Sequence, residues 1–209
     1  MDEIIEVFQK IRIIPVVTIR QVEDTNPLAD ALVGGGLQCA EITFRTKEAA
    51  AVIEKLSRRT DILTGAGSVL TVEQVKTAIA AGAKFIVTPG LNPKVLQFCV
   101  ERQIPVFPGT CTPTDFIMAL EYGLRVVKFF PAESLGGVKT LKAMASPFPM
   151  LKFLPTGGIT PKNVLDYLRL PQVLACGGSW MVKEDLLQEK KFDAIQELVQ
   201  EAVNIAKQL

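Results

Sequence analysis

Short apolar runs and amphipathic stretches take turns along this chain almost from end to end. Eight runs rich in Val, Ile or Phe read as strands, at 13–19, 39–45, 61–68, 84–90, 104–110, 124–131, 151–158 and 172–179. Most of them carry Gly or Pro in their last two positions, and these residues end strands. Between them the apolar positions recur every three or four residues, the spacing of a helix with one buried face. These segments fall at 26–36, 47–59, 71–82, 92–102, 112–123, 136–146 and 160–170, and a last helix fills most of 192–208. Thr71 with Gln74 three residues on, and Asn92 before Pro93, have the chemistry of helix starts. Gly34 to Gly36, Gly82 and Gly123 stand where helices should stop. The opening MDEIIEVFQK is acidic and amphipathic, and predicts a short N-terminal helix.

Eight strand–helix units repeating at about 20–25 residues predict an α/β chain, a single (β/α)8 TIM barrel spanning residues 1–209. A doubly wound sheet is the rival architecture. It needs fewer strands, and the G-x-G-x-x-G fingerprint it would carry after its first strand is missing. No linker or low-complexity segment divides the chain.

Strand side chains alternate between faces, so each strand says which residues it turns inward. In CAEITFR, Glu41, Thr43 and Arg45 share one face and Ile42 and Phe44 the other. With the apolar face against helices, the acid and the arginine aim at the barrel axis. Structural filling of the interior by a polar network is the plainer alternative. In RVVKFFP, Lys128 lies between Val126 and Phe130 on one face. An ammonium there is costly to bury unless it is paired or deprotonated. A desolvated lysine is also what nucleophilic catalysis on a carbonyl requires. Pairing with a carboxylate such as Glu133, or reaching out to solvent, would be its structural explanation. Lys84 opens its strand at the far end from the expected site. Lys152 precedes Pro155 at the spacing at which Lys128 precedes Pro131, so spacing alone leaves those two in competition.

The ends of strands 7 and 8 carry Gly-Gly pairs, in LPTGGIT and ACGGSW. Glycine lets a backbone approach an anion, and these are the loops where such barrels commonly hold phosphate. Tight turns are the competing explanation. Gly65 and Gly67, with Pro89-Gly90 and Pro108-Gly109, read as turn punctuation around the same mouth.

Composition narrows the chemistry. The chain has no histidine, so any acid or base is a carboxylate, lysine, tyrosine, cysteine or water. Imidazole metal sites are excluded, no other metal-ligand spacing appears, and no cofactor is implied. A net charge of +1 gives no reason to expect nucleic acid or an anionic membrane as a partner. No run approaches the ~20 apolar residues of a membrane span. Cys39, Cys99, Cys111 and Cys176 form no C-x-x-C pair, and each reads as a small buried thiol in a cytoplasmic protein.

The motifs EITFRT (41–46), GAGSVL (65–70), TPGLNP (88–93), VKFFPAE (127–133), PTGGI (155–159) and GGSW (177–180) occur together and in order. They resemble the 2-keto-3-deoxy-6-phosphogluconate (KDPG) and 4-hydroxy-2-oxoglutarate (KHG) aldolases, over a span from about Ile14 to the last helix. The resemblance implies a class I aldolase that splits a phosphorylated keto acid through a lysine Schiff base. It makes Lys128 the imine-forming residue and Glu41 the proton carrier, and so decides against Lys152. Arg45 matches the residue that holds the pyruvate carboxylate. Ser68 stands where the family usually has threonine, keeping the hydroxyl and losing a methyl. Gly157, Gly158, Gly178 and Ser179 fall in the phosphate loops, and Thr43, Pro89 and Phe130 complete the expected substrate surface. A metal-free homotrimer is implied as well. The alternatives are a galactonate-specific member of the same family, a phosphate-binding barrel transferase, or a silent sugar-phosphate binder.

Overall fold

In the computed structural model, which describes residues 2–209, helix α1 (Asp2–Ile11) leads into strand β1 (Ile13–Val17), and strands and helices then alternate. The strands that follow are β2 (Cys39–Thr43), β3 (Leu63–Gly67), β4 (Ile86–Val87), β5 (Val106–Phe107), β6 (Gly109–Thr110), β7 (Val126–Phe129), β8 (Lys152–Pro155) and β9 (Cys176–Gly178). Each lies inside a run expected from the sequence. Helices α2 (Thr25–Gly35), α3 (Ala49–Ser57), α4 (Val72–Ala80), α5 (Pro93–Glu101), α6 (Pro113–Glu121), α7 (Gly137–Ala145), α8 (Val164–Leu168) and α10 (Phe192–Ala206) match the amphipathic segments. The sequence did not announce α9 (Glu184–Gln188).

Helix ends follow the expected chemistry. Thr71 accepts a hydrogen bond from the Gln74 backbone N–H, and Asn92 caps α5 ahead of Pro93. Helix α8 is shorter than its pattern, because Asn163 is occupied with the turn before it. It accepts from the Thr160 N–H at 2.8 Å and donates to the Gly158 carbonyl at 3.0 Å.

All strand pairings are parallel, in a six-stranded sheet ordered β5-β4-β3-β2-β1-β9 and a three-stranded sheet ordered β6-β7-β8. The fold is α/β, with parallel strands alternating with helices as expected, and its ladders form two sheets. Pro108 accounts for the extra strand, since it has no N–H to give a ladder and divides the run at 104–110 into β5 and β6. Its carbonyl still accepts from the Lys128 N–H at 2.9 Å.

The alternation of faces creates two cores. Ile42, Val127 and Phe129 turn outward into a large apolar layer shared with the helices. Ile14, Val87, Phe107, Val126 and Leu154 turn inward and form a smaller cluster with Phe8 of α1. Phe8 is fully buried, its ring centroid 5.3 Å from those of both Phe85 and Phe107. Helix α1 therefore floors the interior at the strands' N-terminal ends. Phe8→Ala should cost about 3–5 kcal/mol of stability, the range for truncating a buried aromatic. Denaturant unfolding checks this; a change below about 1 kcal/mol would mean that α1 is only loosely seated.

Among the described residues no helix is long and apolar enough to cross a membrane. Cys39, Cys99 and Cys176 are buried as expected, and burial pushes the Cys99 thiol up to about 11. Cys39 is raised by burial first and by neighbouring Glu41 second. Cys111 departs from the expectation and is exposed. It precedes α6, where its N–H donates to Asp115 at 2.9 Å, so its side chain stays at the surface.

Candidate active site

Strands β2 and β7 bring an acid and an amine together across the interior. Lys128 is 5% exposed and Glu41 3% exposed, with Nζ 3.5 Å from Oε1. That carboxylate oxygen has no hydrogen-bond partner among the described residues. The ammonium thus has one counter-charge, and the acid keeps an unused acceptor site beside it. The backbone register fixes the meeting: Glu41 lies level with Val16 and Gly65, and Lys128 level with Gly109 and Leu154.

Lys128 is neither paired with Glu133 nor turned out to solvent; its carboxylate partner is Glu41. Glu133 is engaged by the buried Tyr167 hydroxyl, which donates to it. Burial first and that bond second push the Tyr167 phenol above its usual range. Lys152 sits level with Val126, a full pleat before Lys128, and its Nζ donates to the Pro171 carbonyl at 3.0 Å. Lys84 is exposed. Spacing could not separate Lys128 from Lys152, whereas depth along the strand does.

Gly65 and Gly67 are not turn punctuation. Both lie within β3, where a side chain at 65 would strike the Phe85 ring and one at 67 would strike Glu41. Their bareness makes room for the acid. Gly109 is likewise pressed against the Pro89 carbonyl, so Pro89 borders this interior through its backbone.

Above the pair, the strands' C-terminal ends surround a cavity of about 480 Å³. Of the residues expected there, Arg45, Phe130, Gly157, Gly158, Gly178 and Ser179 line it. Lys128 lies beneath, its Nζ 5.0 Å from the centre of the Phe130 ring. Arg45 is exposed at the mouth and donates from Nε to the Ser68 hydroxyl at 3.1 Å, which places Ser68 beside the guanidinium. Thr43 is buried, its hydroxyl 3.0 Å from that of Thr18. Gly157 and Gly158 have φ of +97° and +77°, a region that side chains other than glycine's rarely adopt. Thr18, Thr156, Trp180, Lys183 and Glu184 also line the cavity and were not anticipated. Thr18 and Thr156 could have been found by parity, since each ends the inward face of its strand. Trp180 packs over Gly178. Lys183 and Glu184 follow the last strand, where no alternation guides the reading.

A buried amine beside a carboxylate, under an arginine and glycine-rich loops, can form an imine on a carbonyl and move a proton. The family model described as KDPG and KHG aldolase matches residues 4–198. The chain belongs to that family. A 2-dehydro-3-deoxy-phosphogluconate aldolase of Treponema pallidum is 47% identical over 206 residues, covering 98% of each chain. A KHG/KDPG aldolase of Escherichia coli K12 is 42% identical, over 93% of this chain and 92% of its own. Among solved structures, the KDPG aldolase of Legionella pneumophila superposes with a TM-score of 0.91 at 40% identity, over 94% of this chain and 96% of that one. It was captured with pyruvate as a covalent carbinolamine intermediate. KDPG and KHG aldolases are carbon–carbon lyases, and the motifs EITFRT, GAGSVL, VKFFPAE, PTGGI and GGSW converge on this cavity or the amine–acid pair below it.

Proposed function

We propose that this chain is a class I aldolase cleaving 2-dehydro-3-deoxy-6-phosphogluconate to pyruvate and D-glyceraldehyde 3-phosphate, with 4-hydroxy-2-oxoglutarate, split to pyruvate and glyoxylate, as a further substrate. The observation that carries this reading is the buried Lys128 amine facing the Glu41 carboxylate at 3.5 Å. The relatives' names and the carbinolamine of the Legionella enzyme support it.

The substrate's carboxylate sits against Arg45, whose planar guanidinium suits it, with Ser68 holding Nε. Lys128, having passed its proton to Glu41, attacks the keto carbon. The carbonyl oxygen leaves as water, carrying one proton from the amine and the one that Glu41 had received, so an iminium and a free Glu41 carboxylate remain. Glu41 then takes the proton of the carbon-4 hydroxyl, directly or through a water. The bond between carbons 3 and 4 breaks, and its electron pair flows through carbon 3 into the iminium, giving an enamine. The aldehyde leaves, Glu41 returns its proton to carbon 3, and water hydrolyses the pyruvate imine to free Lys128. With no histidine in the chain, one carboxylate serving in both directions is the economical solution. Thr43, Pro89 and Phe130 shape the walls around the pyruvyl part. Gly157, Gly158, Gly178 and Ser179 offer backbone N–H groups and a hydroxyl to the phosphate, whose binding positions the bond to be broken. A transferase or a silent sugar-phosphate binder would have no use for the buried pair, so the geometry favours the lyase.

The two sheets read, in this proposal, as one domain over 1–209 forming a closed eight-stranded barrel. Isolated bridges from Thr156 to Gly177 and from Phe153 to Val173 support closure on one side, and the Pro108 division on the other. The reading extends to a cytoplasmic homotrimer. Leu70 and Ile117, 55% and 52% exposed, are apolar surface such an assembly would cover.

Incubating the protein with pyruvate and borohydride should fix one pyruvate per chain as a reduced adduct, and peptide mass mapping should place it on Lys128. An adduct on another lysine, or none, would overturn the assignment.

A further inference from the structure

The rim of the cavity carries a charge arrangement that none of the motifs predicts. Its lining contains two cationic side chains, Arg45 and Lys183, and one carboxylate, Glu184. Arg45 is tied to Ser68. Glu184 is paired with Arg20 across the rim at 3.4 Å. Among the described residues the Lys183 side chain has neither an ion pair nor a hydrogen-bond partner, although the residue borders the same cavity as Gly157, Gly158, Gly178 and Ser179. A phosphate monoester brings roughly −1.5 to −2 charges at neutral pH. Glycine N–H groups offer only partial charges in return. The remaining field at that rim is the sum of a free ammonium and a carboxylate already neutralised by its arginine.

We propose that Lys183 sets this enzyme's preference for phosphorylated over unphosphorylated keto acids, with Arg20 acting as a positioning residue that keeps Glu184 from cancelling it. The inference rests on the aldolase reading above. The ε-amine contacts the phosphate oxygens as a charge-assisted donor. The same contact is unavailable to 4-hydroxy-2-oxoglutarate, whose second carboxylate ends on carbon 5 and stops short of the loops. The preference is therefore an electrostatic property of three exposed side chains and not of the glycine loops alone.

The readout is the ratio of kcat/KM for 2-dehydro-3-deoxy-6-phosphogluconate to that for 4-hydroxy-2-oxoglutarate. Lys183→Met should lower this ratio about tenfold, the size of one charge-assisted contact, through KM of the phosphorylated substrate. Arg20→Ala should move the ratio the same way by exposing the Glu184 charge, and Glu184→Gln should raise it. Added salt should shrink the difference between wild type and Lys183→Met, because the contact lies near solvent. A ratio unchanged in Lys183→Met, or a rise in Arg20→Ala, overturns the proposal. Pyruvate trapping on the wild-type protein keeps the two readings apart: an adduct on Lys128 with an unchanged ratio refutes the role of Lys183 alone, whereas no adduct refutes the aldolase itself.

Discussion

Lys128→Met is expected to lower the cleavage rate on the order of 10⁶-fold, the scale at which removal of an essential nucleophile leaves only binding and background reaction. Methionine keeps the unbranched length of the side chain and fills the space between Val126 and Phe130, so packing changes little. Among the described residues it removes the only amine found in the interior beside an acid. The variant also leaves Glu41 buried without its counter-charge, which lowers stability. A thermal melt separates this stability effect from the loss of chemistry. The measurement that matters pairs the turnover assay with borohydride trapping. Both signals should vanish together in a folded protein. Substantial cleavage by the folded variant would mean that the imine forms elsewhere, and Lys152, bonded to the Pro171 carbonyl at the other end of β8, would have to move a long way to supply it.

Glu41→Gln should slow cleavage by about 10²–10⁴-fold, the usual contribution of a positioned acid–base group. The amide has the shape of the acid but cannot take up a proton. Gly67 leaves no slack for a substitute to swing in, because the carboxyl group already occupies the space where a side chain at 67 would be. Borohydride should still trap pyruvate on Lys128, more slowly. The distinguishing experiment is exchange of the pyruvate methyl protons in heavy water, followed by NMR. Enamine formation and its reversal need the same proton carrier as cleavage, so exchange and turnover should fall by similar factors. Exchange at the wild-type rate alongside slow cleavage would assign the two proton transfers to different groups.

Much of this site can be read from strand parity. The alternation of Glu41, Thr43 and Arg45 against Ile42 and Phe44 places the acid inside before any coordinates are known, and the same holds for Lys128 between Val126 and Phe130. Depth is harder. Lys152 faces the same interior as Lys128 by parity, and only the register with β7, which sets it level with Val126, shows it to be at the wrong end. Gly65 and Gly67 mislead for a related reason. Glycine signals a turn locally, but here it answers to side chains on neighbouring strands that the local sequence does not contain. Sheet continuity was also beyond the pattern, since the division at Pro108 depends on which carbonyls and N–H groups find partners. Cys111 looked buried because its segment is apolar, yet the helix start that follows holds its backbone at the surface. Lys183, Glu184 and Arg20 meet only through the folding of the last loop against the first strand, and no repeat or motif links them.

The ring of Phe8 wedged between Phe85 and Phe107 has a bearing on the order of events in catalysis. With the bottom of the interior stoppered, traffic passes through a single opening at the top. In the proposed pose the keto carbon sits deepest, bonded to the lysine, and the sugar-phosphate fragment lies above it. The aldehyde must then depart before the pyruvate can, and in the reverse direction pyruvate must be loaded first: one doorway enforces a queue.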